Sequence, residues 1–192
     1  MPIFLRRRSK IGGMEQDRDV AVAALRGAIQ SAFPVNAFQD AVTPVDGEQW
    51  AEEIDDELDL RDNLRGRAWN EVPVEVIDRQ AGGLPLLVKE AFKVFLPAWL
   101  VRSLDNLDGE NKVREFTIYE FLPFEGRTAN QPALDAWLDA ENRAKHDLLS
   151  VKQRQVVREF LLLASRHDRN RYVRTDAQTA LESWMKNFTE QP

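Results

Sequence analysis

An all-α fold is predicted for this chain of 192 residues, and three observations predict it. Apolar residues recur at three- to four-residue spacing in segment after segment, the period that lines one face of a helix. Ser150-Val151-Lys152-Gln153 has the form of a capping box, a helix-start signal, and Thr175-Asp176-Ala177-Gln178 repeats it. One segment alone, residues 116–122, has the composition of a strand. The expectation is a compact single-domain bundle of about six to eight helices with that one short strand-like segment left open.

The elements follow in order. Val22, Leu25, Ile29 and Phe33 share a stripe that predicts a first helix from about Asp17 to Phe33, stopped by Pro34. A turn-rich passage leads to a second, acidic helix with Trp50, Ile54 and Leu58 on its apolar side, and Gly66 punctuates it. A short helix bearing Val76 and Ile77 is expected after Val72-Pro73, and Gly82-Gly83 breaks it. Phe92, Phe95, Leu96, Trp99, Leu100 and Leu104 hold helical spacing straight through Pro97. Since proline removes a backbone donor, the expectation is a kinked helix or two helices meeting there. Residues 105–115 are a polar loop. In 116–122, Phe116, Ile118 and Glu120 alternate with Thr117, Tyr119 and Phe121, which suits a strand or a short helix ending before Pro123. Gln131-Pro132 opens a helix with Leu134, Trp137 and Leu138. The last two helices carry Val156, Val157, Phe160, Leu161 and Ala164, then Ala177, Leu181, Trp184, Met185 and Phe188.

Composition bounds the function classes. Hydrophobic residues at 43% and charged residues at 30% suit a globular core. Cysteine is absent, which excludes disulfides, thiolate zinc sites and a cysteine nucleophile, and fits a reducing, cytoplasmic setting. The most apolar stretch, residues 84–101, is interrupted by Lys89, Glu90 and Lys93, so no membrane span or membrane partner is expected. At the start, Ile3 to Leu5 precede Arg6, Arg7, Arg8 and Lys10, the reverse of an export signal. Residues 1–13 are expected to form a disordered basic tail, with Met14 as the alternative start, and residues 14–192 to form the domain. The net charge of −6 argues against a dedicated nucleic-acid binder.

Three motifs in order resemble an uncharacterised family of bacterial proteins, a domain of unknown function. These are LRGRAWNEVP (64–73), with a Gly-x-x-Trp step; AFKVFLPAWLVRSLDN (91–106), with Phe-Leu-Pro-Ala-aromatic-Leu; and LLSVKQRQVVREFL (148–161), with Leu-Ser-x-x-Gln. The resemblance spans roughly residues 48 to 165. Residues 166–192 extend beyond it, and the loop between Phe124 and His146 is longer than its pattern. It implies a compact bacterial domain and supplies no activity, cofactor or catalytic residue.

Candidate sites are few. Asp46, Glu48, Glu52, Asp55, Asp56 and Asp59 load the second helix with acid, and positions four apart are neighbours on a helix. A solvated face that docks a protein partner is the expected role, with Glu52, Asp55, Asp56 and Asp59 as its contacts. By analogy, small acidic domains of this kind neutralise toxins. The alternative is a magnesium-dependent hydrolase of nucleotides or phosphoesters using the carboxylates of 48–59. Glu53-Ile54-Asp55-Asp56 resembles half of an all-α pyrophosphohydrolase site, without a second half. The run Arg166, Arg169, Arg171, Tyr172 and Arg174 would suit phosphate contact and base stacking, though a solvated loop is the plainer expectation. His146 and His167, the two histidines, each precede an aspartate, yet no nucleophile turn accompanies them, so capping or surface roles are expected. The five tryptophans, Trp50, Trp69, Trp99, Trp137 and Trp184, are expected in the core. No catalytic residue, metal ligand or cofactor motif is predicted. The partner's identity and the oligomeric state are left open.

Overall fold

A computed structural model describes residues 3–44, 55–123 and 131–188 of the chain. Among them are eight α-helices and no strand: α1 (Ile3–Ala32), α2 (Asp55–Leu64), α3 (Val74–Arg79), α4 (Lys89–Ser103), α5 (Lys112–Tyr119), α6 (Pro132–Asp147), α7 (Val151–His167) and α8 (Arg171–Phe188). Two short 3-10 turns, Trp69–Glu71 and Leu84–Leu86, flank α3.

The bundle is built around α4. Its residues Phe95 to Leu100 are buried without exception, and it packs on α1, α3, α5 and α6. Pro97 neither splits nor ends it; the helix continues to Ser103. Burial on all sides explains this. Phe92, Phe95, Leu96, Trp99 and Leu100 each lie at 0% exposure, and their transfer from water outweighs one missing backbone bond. α7 and α8 form the most extensively packed pair, α1 lies along α7, and α8 closes on α5.

Several elements have the local causes their residues imply. Gly66 takes the left-handed backbone (φ 78°) just past α2, and its amide donates to the Phe38 carbonyl. Pro132 opens α6 where its missing N–H costs nothing. Ser150 and Gln153 cap each other's backbone amides at 3.3 and 2.9 Å, the capping box expected there.

Elsewhere the structure departs from expectation. α1 begins at Ile3, so its helix takes in most of residues 1–13 as well as the stripe after Asp17. The segment 116–122 is not a strand. Asn111, inside the stretch read as loop, caps α5 through its side chain, which accepts from the Arg114 amide at 3.1 Å. The buried set Val113, Arg114, Thr117, Ile118 then runs at helical spacing, beginning upstream of the alternating segment. Thr175 does not cap α8 either; it lies inside the helix, where its hydroxyl donates to the Arg171 carbonyl. The start is made by Asn170, whose side chain accepts from the Tyr172 amide at 3.0 Å.

Among the tryptophans, Trp69, Trp99 and Trp184 are core residues. Trp137 is 58% exposed on α6, and Leu134 beside it is exposed as well. Trp50 and Ile54 lie outside the described residues. The buried stripe of α2 is Leu60 and Leu64, and Leu58 is half-buried.

Candidate functional site

α2 carries its acids where the sequence placed them, but they divide by role. Asp55 and Asp56 stand exposed in the first turn, where negative charge suits the helix dipole. Asp59 faces α3. It accepts two guanidinium N–H bonds from Arg79 at 3.0 Å, one from the Gln80 amide at 2.9 Å and one from Asn63 at 2.9 Å. Burial pushes its carboxyl up, but these donors outweigh that and hold it below the usual carboxylate value. Gln80 also reaches Asp56 at 3.2 Å. Asp59 therefore pins α2 to α3, while Asp55 and Asp56 project outward from a helix whose other side is sealed by Leu60 and Leu64. Asp46, Glu48 and Glu52 lie outside the described residues. Among the described residues no three His, Asp or Glu side chains are grouped to hold a metal ion.

The basic run spans the α7–α8 connection. Arg166, Arg169, Arg171 and Tyr172 are exposed, Tyr172 to 80%. Arg174 is turned inward to structural work: its guanidinium donates to the carbonyls of Asp168 at 2.6 Å and Arg169 at 3.1 Å, tying off the end of α7. The five residues thus do not converge as one surface of free cations.

Two buried polar groupings went unseen in the sequence. In the first, Arg114 of α5 pairs with Asp168, both almost wholly buried. The same guanidinium donates to the carbonyls of Ser103, Asp105, Asn106 and Gly109, holding the loop between α4 and α5. No spacing rule links positions 114 and 168; only the contact of α5 with α8 brings them together. In the second, Lys145 and His146 at the end of α6 are both buried. Lys145 Nζ donates to the Pro85 carbonyl at 2.8 Å, lies 3.9 Å from the Glu120 carboxylate and sits over the Phe92 ring. Burial pulls its ammonium below the ordinary lysine value.

His146, expected at the surface or in a cap, sits instead among the rings of Phe92, Phe121 and Trp184, at centroid distances of 5.9, 5.2 and 5.1 Å. Burial, reinforced by Lys145 and Arg143, pulls its imidazole down to about 3, so it is neutral at pH 7. His167 ends α7 and is half-buried. A clue to His146 was present: Trp184 was an apolar-stripe residue of the last helix and Phe121 an apolar residue of the alternating segment, and both needed partners.

Comparison with known proteins yields no matching family model, no matching curated protein and no matching solved structure. Among the described residues, no helix is long and apolar enough to cross a membrane.

Proposed function

We propose that the chain is a non-enzymatic interaction module that docks a basic protein partner on the acidic face of α2. The observation that carries this reading is the division of labour on that helix. Asp59 is spent on Arg79 and Gln80, which ties α2 to α3, and Asp55 and Asp56 stand exposed one turn before it, Asp56 also accepting from Gln80. A preorganised row of carboxylates accelerates encounter with a basic surface and sets its orientation more than it deepens affinity. With no cysteine in the chain, the reducing cytoplasm is the proposed setting.

The test is affinity capture from the native host with wild-type chain and the Asp55→Arg/Asp56→Arg variant. Wild type should retain a basic protein that elutes with salt, and the variant should lose it. Retention of the same protein by both, or of no basic protein by wild type, overturns the proposal.

A further inference from the structure

Beside His146 the structure holds a cavity of about 260 Å³ between α6, α8 and the chain after α5. Its wall includes His146 and Trp184, with Arg143 and Lys186 at its rim and Ser183 and Asn187 alongside. His146 is 9% exposed, and its Nε2 is buried without any hydrogen-bond partner. A buried polar atom left in this state is uncommon, because folding strips its water and returns nothing. Beside a cavity rimmed by exposed cations, this atom is open to a partner that the chain itself does not supply.

The charges around it choose the ligand. Arg143 and Lys186 are exposed, and neither has a carboxylate partner at ion-pair distance among the described residues. Among the described residues Asp139 is the one acid on the wall, and it is engaged by an interaction of its own. A cation entering here would meet two like charges, with Lys145 behind them. An anion would meet two free cations, a hydroxyl, an amide and an imidazole able to present an N–H. We propose that this cavity binds a small oxyanion, a carboxylate or phosphate group, held by Arg143, Lys186 and His146. The site is independent of α2 and does not rest on the partner-docking reading. Bound charge would offset the repulsion from Lys145 and Arg143 that helps keep the ring neutral, so occupancy and protonation of His146 are coupled.

Because the chain has only two histidines, the test is direct. In full-length protein labelled with nitrogen-15 at histidine, the imidazole signals are followed by NMR at pH 7. Sodium phosphate, or separately sodium acetate, is titrated in at constant ionic strength. The expected result is a saturable shift of the His146 signals, with His167 unmoved, and affinity lower by about tenfold or more in the Arg143→Ala/Lys186→Ala variant. Both replaced side chains are exposed, and matching circular dichroism confirms that the variant is folded. Saturation by phosphate alone assigns a phosphate site, and saturation by acetate assigns a carboxylate site. Linear drift of both histidines together, or a variant that titrates like wild type, overturns the proposal.

Discussion

Replacing Arg114 by methionine keeps an unbranched apolar stem and removes the charge and the donors. What remains is Asp168, whose side chain has 0% exposure, with its main countercharge gone. Four carbonyls, of Ser103, Asp105, Asn106 and Gly109, lose a donor in the same step. Breaking a buried ion pair from one side costs about 3–5 kcal/mol, because the stranded charge cannot recover its hydration. For a chain of this size that is roughly 6–20 °C in Tm. Asp168→Asn in the Arg114→Met background should restore about 1–3 kcal/mol, since a neutral amide strands no charge. Asp168 keeps a second duty in both cases: its carboxylate accepts from the Asn170 amide at 2.7 Å, a bond that asparagine can also accept. Urea unfolding at pH 7 of wild type, both single variants and the double variant closes the cycle. If Arg114→Met unfolds within about 1 kcal/mol of wild type, the pair is solvated and the reasoning fails.

Trp99→Ala should cost about 3–5 kcal/mol, since Trp99 is fully buried in α4 and its indole N–H donates to the Gln80 carbonyl at 3.2 Å. Trp137→Ala, on the exposed side of α6, should stay within about 0.5 kcal/mol, and equal losses at both positions would contradict the packing described. Acid should destabilise the chain through His146. Its folded value lies near 3 against an ordinary 6.5, so the unfolded chain binds this proton first as pH falls. The contribution is complete above pH 6.5 and is lost towards pH 3, about 2 kcal/mol of it between pH 6.5 and 5. In phosphate-free buffer the urea midpoint of His146→Phe should therefore fall less steeply over that range than that of wild type, and parallel curves would refute it.

Periodicity alone was enough for the all-α class, for the apolar faces of α4, α7 and α8, and for the box that starts α7. These depend on residues within a turn or two of one another, where the helix period and backbone capping act locally. Acidic α2 was legible for the same reason, as charge on one face needs only sequence spacing. Three features were decided by tertiary packing. Pro97 stays inside α4 because burial of its neighbours outweighs a lost backbone bond. Residues 116–119 of that segment belong to α5 because Asn111 caps the helix and because Val113, Arg114, Thr117 and Ile118 meet the core at helical spacing, whereas the segment's own alternation suited either state. Trp137 is exposed although its composition matched a core helix, since among the described residues no element covers that side of α6. The same holds for chemistry. Asp59 differs from Asp55 only in facing Arg79, and Arg114 finds Asp168 across 54 positions of chain. His146 becomes a neutral buried base because Phe92, Phe121 and Trp184 arrive from three other segments. A side chain's charge state is set by the dielectric and the partners around it, and those are assembled only when distant helices pack.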